Sequence, residues 1–559
     1  MSITGILVIL FGLLSGFVFL SFFYKKIHLD KFVILCFGLL LSFVAIFGFF
    51  LSLPKWDLST TNVLACLILL MIGLYYARRK YKLKRPDIIF DLPRSITLGV
   101  IFLASFMFYI YPALPTMFSP CIPGSDCTHH IEYSQGIYEH KKLEPPIVEW
   151  DYYPLGLHIN VAFAAEALTD SKPDYTNMFY PFMALITALN VTILCAIILE
   201  STKRVAYALL LAVALLLLVY PASALIQYGF WAQVFGTFFA ILFFWVLGDY
   251  INKTGTHMWL LLGIIAVASY LAYQILPLAP LLIGFLMAAL TVPKTPFKQR
   301  VMSLALFMLL CSLFIGLNTF ENYSKYLESD REPFLGSATI YQTINMTNEE
   351  RHSINEKSFG EFQIMLKRQL EQQGSVIFFD GLNRFGLVII FLAIVGLLLS
   401  QEFDAPLVYF SSALLELFVF QIGFENRMIS WYYVSKIGYF TAYAFTLIAV
   451  IGFAKLIEQW GVLQRPLKLK RILSGVVTLI LIGMVLYVTH ITADAGLFFG
   501  ENKLVFNNAA AQDWTNWPLI RFNRIDLYSA LQEKREPYKY NVFEFLQGKK
   551  FDPEVEKKR

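Results

Sequence analysis

The run Phe32–Leu53, FVILCFGLLLSFVAIFGFFLSL, carries no charged residue. As a helix it would rise ~33 Å, enough to cross a hydrocarbon layer of about 30 Å. A backbone in lipid has no water to bond, so such a run must satisfy its polar groups internally, as a helix. Runs of this kind recur through the 559 residues. Helices are expected near 1–23, 32–53, 61–78, 95–113, 177–199, 205–221, 230–248, 258–273, 275–292, 301–318, 385–401, 405–423, 431–456 and 472–490. The fold class is therefore an all-α polytopic membrane protein with a bundle of about 14 transmembrane helices.

Composition agrees with the periodicity. The chain is 57% hydrophobic and 15% charged, where a soluble domain carries about 25% charged residues. The first run, Met1–Phe23, lacks a basic start and a small-residue cleavage site, so it reads as a retained helix. The formal charge of +5 gives no basis for a nucleic-acid partner.

Orientation follows from the basic loops. Lys25-Lys26, Arg78–Arg85, Lys203-Arg204, Lys294–Arg300 and Arg465–Arg471 all fall on one side of this helix order, which the positive-inside rule makes cytoplasmic. The Arg78–Arg85 cluster is a topology determinant beside anionic membrane lipid. Both termini and the segments 114–176, 319–384 and 491–559 are then extracytoplasmic. Three units are expected: accessory helices with a basic linker over 1–94, a main transmembrane domain over 95–490 with outer loops 114–176 and 319–384, and a C-terminal extracytoplasmic segment over 491–559. The last is rich in Trp, Tyr and Phe, more so than a disordered tail.

Polar chemistry concentrates in one outer stretch, Gly124–His158, GSDCTHHIEYSQGIYEHKKLEPPIVEWDYYPLGLH. Asp126 can take a proton from a hydroxyl or hold a divalent ion, or it is simply the aspartate of a Gly-Ser-Asp turn. His129, His130 and Glu132 follow it. Cys121 and Cys127 flank the turn, in a compartment where a disulfide is permitted. Free thiols, or a zinc site of Cys127, His129 and His130, are the other readings. Pro154–Leu168 is apolar but too short to cross. His158, Ala162 and Glu166 share one helical face, which suggests an interfacial helix on the outer leaflet.

A second concentration is the outer hinge Gly423–Phe440, GFENRMISWYYVSKIGYF. Arg427 with Lys436 could bind a phosphate, the first as a bidentate fork and the second as a point charge. Alternatively Lys436 pairs with Glu416 and Arg427 is a headgroup anchor. Gln233 in QYGFWAQ (227–233) and Arg384 in DGLNRFG each read either as a ligand contact or as part of an interfacial belt.

Several of these features occur together in a known family. Asp126, the following His129-His130, Gly136-Ile137 and the run Tyr153-Pro154-Leu155-Gly156-Leu157-His158 resemble the first external loop of the GT-C superfamily of membrane glycosyltransferases. GFWAQVFG (229–236) is similar to a Gly-aromatic-x-Gln segment of prokaryotic members, and ENRM (425–428) to their late outer Asn-Arg. The resemblance covers roughly 95–456. It implies a GT-C-like bundle and transfer of a sugar from a polyprenyl-phosphate donor to a glycan, lipid or protein acceptor outside the plasma membrane. By the same resemblance Asp126, His129 and His130 are catalytic, with Asp126 as base and as ligand of any divalent metal. Tyr153, His158, Gln233, Arg384, Glu425, Arg427 and Lys436 would bind substrate. The loop has no Asp-x-Asp or Glu-Asp pair, and the tail has no Trp-Trp-Asp motif, which disfavours protein N-glycosylation. The competing expectation is a lipid or polysaccharide transporter or flippase, whose mark would be broken helices and inverted repeats. A structural subunit or receptor is a third.

Overall fold

The structure, a computed structural model, describes residues 3–54, 56–110, 126–141, 155–168, 175–217, 231–252, 257–273, 275–291, 296–328, 391–397, 404–425 and 431–459. Its elements in chain order are α1 (Ile3–Leu20), β1 (Lys26–His28), α2 (Leu29–Ser52), α3 (Thr60–Lys80), β2 (Asp87–Ile89), α4 (Leu92–Ile110), α5 (Asp126–His140) and α6 (Gly156–Leu168). There follow α7 (Tyr175–Thr202), α8 (Val205–Leu217), α9 (Trp231–Asn252), α10 (Met258–Tyr273), α11 (Ile275–Thr291), α12 (Phe297–Glu328), α13 (Ala405–Glu425) and α14 (Trp431–Gln459). Residues 391–397 are also helical. The expected span 472–490 and the segment 491–559 lie outside the described residues.

Among the described residues eight helices are long and apolar enough to cross a membrane. Val205–Leu216, Met258–Tyr273, Pro277–Leu290 and Ala405–Val419 are apolar but shorter. α12 runs on to Glu328, so its 32 residues carry helix into what the sequence suggested was the start of an outer loop at 319.

Burial sorts the helices into an enclosed set and a lipid-facing set. α9 is apolar on every face and is covered by α2, α6, α7, α10, α11 and α13. α4 instead turns Ile96, Val100, Leu103 and Met107 outward. Their spacing of four, three and four makes one stripe. α3 does the same with Leu69, Ile72 and Tyr76. In water such stripes would be aggregation surfaces; in lipid they are the solvent contact.

The helix ends are chemically consistent with their places. Ser59 Oγ accepts the Asn62 N–H at 3.2 Å and caps α3, while Arg78, Arg79 and Lys80 occupy its last turn, where the helix dipole favours cations. Arg300 donates to the carbonyls of Ala289 (3.2 Å) and Leu290 (2.7 Å) and so satisfies the end of α11.

Two features were not expected from the sequence. First, β1 and β2 pair in parallel, Lys26 with Asp87 and His28 with Ile89, and β2 lies inside the segment read as a plain basic linker. Three-residue strands are too short to carry a periodicity. Second, an ion network joins the early helices to the later ones at the end of the bundle that holds these basic loops. Lys31 Nζ lies 2.8 Å from Asp249 and 3.5 Å from Glu200. Arg94 bonds both oxygens of Asp30 through Nε at 3.0 Å, and reaches Asp30 and Glu200 through Nη2 at 2.7 Å. Tyr24 donates its hydroxyl to Asp249 at 2.8 Å. α2 is thus ion-paired to α7 and α9, and α4 to α7.

One expectation is corrected. α6 does not lie on a surface. Every residue from Leu157 to Phe163 is buried, and the helix packs against α1, α2, α5, α7, α9 and α10. Its polar positions are absorbed by partners: Asn160 donates to the carbonyls of Leu41 (3.2 Å) and Gly156 (2.8 Å).

Candidate functional site

α5 and α6 run side by side in the same direction. Their starts meet through His130 and His158, and their ends through Lys141 and Glu166, 3.1 Å apart. Lys141 closes α5 in a left-handed conformation, φ 55°, its carbonyl accepts the Leu58 N–H, and its ammonium sits 4.5 Å over the Tyr138 ring. The connection between α2 and α3 is thereby tied to the pair.

At the other end of α5, His130 Nδ1 and His158 Nε2 are 2.8 Å apart and both side chains are fully buried. Two cationic rings would set donor against donor, so one nitrogen must donate and the other accept. Burial pushes His158 down to about 3, which leaves it neutral at ordinary pH. Aromatic rings enclose the pair. Trp231 stacks on His130 at 5.6 Å, Phe179 stacks on Trp231 at 4.4 Å, and Tyr133 lies 5.2 Å from His158.

These contacts bring four helix starts to one place. His130 is in the first turns of α5, His158 in the first turn of α6, Phe179 near the start of α7, and Trp231 opens α9. Helix N-termini present unpaired N–H groups and a partial positive charge. Asp126 is the first residue of α5, four residues and one turn before His130. The site lies at the opposite end of the bundle from the ion network.

Other residues singled out in the sequence are placed as follows. His129 is in the first turn of α5. Gln233 is buried in the first turn of α9, about 200° round from Trp231. Glu425 ends α13 and Lys436 is in the second turn of α14. Cys127 is in the first turn of α5. Cys121, and so the Cys121–Cys127 bridge, lies outside the described residues, as do Tyr153, Arg384 and Arg427. Among the described residues no three His, Cys, Asp or Glu side chains form a metal site. Glu416 is buried in α13, and neither carboxyl oxygen has a hydrogen-bond partner among the described residues.

Sequence reasoning missed the partnership of the two histidines and the aromatic wall of Phe179 and Trp231. The order of their helix starts was the available signal: histidine, histidine and tryptophan each open a helix on the same side of the bundle.

The fold defines a class: the chain is an essentially all-helical, multi-pass membrane protein. No protein-family model and no curated protein matches the sequence.

Proposed function

We propose that this chain is a membrane glycosyltransferase that moves a sugar from a polyprenyl-phosphate donor to an acceptor on the extracytoplasmic side of the plasma membrane. The observation that carries the reading is the buried His130–His158 pair at four converging helix starts, with Asp126 one turn upstream. A partial positive field at the membrane boundary suits an anionic phosphosugar. The fourteen-span, GT-C-like arrangement is part of the same proposal.

In the proposed reaction the acceptor hydroxyl attacks the anomeric carbon. The bond from that carbon to the phosphate oxygen breaks, and polyprenyl phosphate leaves with the electron pair. Asp126 takes the hydroxyl proton, and attack from the face opposite the phosphate inverts the configuration. The buried histidine pair holds the start of α5, and hence Asp126, in position. Arg427, with Lys436 or Arg384, stabilises the departing phosphate.

The test uses the purified protein in proteoliposomes with labelled polyprenyl-phosphate hexoses and pentoses and a mixture of cell-envelope acceptors. Asp126→Asn should lower transfer at least 100-fold, the usual worth of a general base, while the protein still folds. Transfer from no donor, or unchanged turnover in the variant, would remove the reading. Glu416, buried and without a hydrogen-bond partner among the described residues, favours a second reading, a transporter or flippase, since an ionisable group within a span marks a pathway by default. Movement of a labelled lipid or glycan across the bilayer without sugar transfer would select it.

A further inference from the structure

Beside the ion network the structure holds a cavity of about 240 Å³. It lies at the basic end of the bundle, away from the histidine pair, and the proposed sugar transfer makes no use of it. Its size is just under the ~300 Å³ at which drug-sized sites begin, so its occupant is small.

The charges of its wall are arranged in two tiers. The inner tier is the part of the network that lines the cavity, Lys31 and Arg94 against Glu200 and Asp249; Asp30 pairs with Arg94 but is not in the wall. Within the wall the two cations and two carboxylates balance, and Asp30 behind them gives the whole network one excess negative charge. Glu200 is less tightly held toward Lys31, at 3.5 Å, than toward Arg94, at 2.7 Å, and its side chain is 29% exposed. The outer tier is Lys26 and Lys203, both exposed and both lining the cavity. Neither has an ion-pair partner among the described residues. Between the tiers is His28, whose Nδ1 is buried without a hydrogen-bond partner among the described residues. Burial and the nearby Arg94 lower its pKa, and its ring nitrogens can donate or accept.

A simple anion would satisfy the lysines but would leave the part-exposed carboxylate of Glu200 without a cation of the ligand. A simple cation would meet the reverse. We propose that the cavity binds an aminophosphate headgroup, its phosphate between Lys26 and Lys203 and its ammonium toward Glu200 and Asp249. The network then does two things: it ties α2 and α4 to α7 and α9, and it reads the amine of the bound group. Such a headgroup has two sources, an aminophospholipid of the adjoining leaflet or a soluble phosphoethanolamine.

The experiment is native mass spectrometry of the full chain in detergent, titrated with phosphatidylethanolamine, phosphatidylcholine and phosphatidylglycerol of identical acyl chains, and separately with soluble phosphoethanolamine. Phosphatidylethanolamine should bind at least about tenfold more tightly than the other two lipids, because methylation removes the ammonium N–H donors and glycerol has no charge to offer. The exposed lysines can be changed without touching the network. Lys26→Gln with Lys203→Asn should weaken the ethanolamine lipid roughly 30-fold, since each lysine near a phosphate is worth about a factor of five. Asparagine suits position 203, which has φ 57°. Equal binding of phosphatidylglycerol or phosphatidylcholine would overturn the assignment, and so would an unchanged affinity in the lysine variant. Soluble phosphoethanolamine binding as tightly as the lipid would support the chemistry and assign the source to the free compound.

Discussion

Lys31, at the start of α2, and Asp249, near the end of α9, form an ion pair of 2.8 Å in which both side chains are largely buried. Removing one partner leaves the other charged and enclosed. Lys31→Met should therefore cost about 3–5 kcal/mol of stability, whereas the double change Lys31→Met with Asp249→Leu should restore most of the loss. Thermal unfolding in detergent measures both, and a double variant no better than the single one would show the pair is not the coupling.

The histidine pair makes a pH prediction. His158 has an ordinary value of 6.5 and a folded value of about 3. As pH falls below 6.5 the unfolded chain takes up a proton that the folded chain refuses. The contribution is complete above pH 6.5 and is lost between there and pH 3, at up to ~1.4 kcal/mol per pH unit. The melting temperature should drop across that window. A His130→Gln, His158→Gln double variant should lose most of this slope at some cost in absolute stability, and an identical slope would place the acid sensitivity elsewhere.

Glycines separate the enclosed helices from the lipid-facing ones. A Cβ on Gly156 would meet the Leu271 carbonyl oxygen at 2.7 Å and its carbon at 2.9 Å, whereas at Gly73 and Gly99 nothing lies within 4 Å. Gly156→Ala should destabilise by about 1–3 kcal/mol through a forced backbone shift. Gly73→Ala and Gly99→Ala should be neutral or stabilising by up to ~1 kcal/mol, the gain in helix propensity. Parallel melts of the three variants would decide the point.

Sidedness can be read by labelling. In a chain whose native cysteines are replaced, a cysteine at Asp57 should react with an impermeant maleimide on intact cells, and one at Lys84 only after permeabilisation. The reverse pattern would invert the topology.

The proposed donor site gives a kinetic split. Arg427→Ala should raise KM for the lipid-linked donor several-fold more than KM for the acceptor, because a lost charge-assisted bond to phosphate is worth ~1.5–3 kcal/mol. Steady-state rates with each substrate varied in turn provide the check, and equal effects on both would take the phosphate away from Arg427.

Much of the fold was legible because lipid imposes a long, charge-free run on each crossing. The expected 258–273 coincides with α10, and 405–423 differs from α13 only at one end. The same rule concealed the ion network. The expected spans 32–53, 95–113, 177–199 and 230–248 each stop one residue short of Lys31, Arg94, Glu200 or Asp249. A charge beside an apolar run was taken as its boundary, so four residues that meet in space were each left outside a span. Their recurrence at one end of four spans was the signal available. At the other end Asp126 and His130 stood out because polar residues are scarce there. The joining of His130 to His158 required α5 and α6 to run in parallel, which no local pattern states.

The β1–β2 ribbon has a consequence for assembly. Its two strands lie at the same end of the bundle, and the chain between them goes out through α2 and returns through α3. Parallel pairing of Lys26 with Asp87 can form only after both crossings are made. The ribbon is thus a fastening that closes only on a finished pair of helices and leaves one with a missing return unlatched.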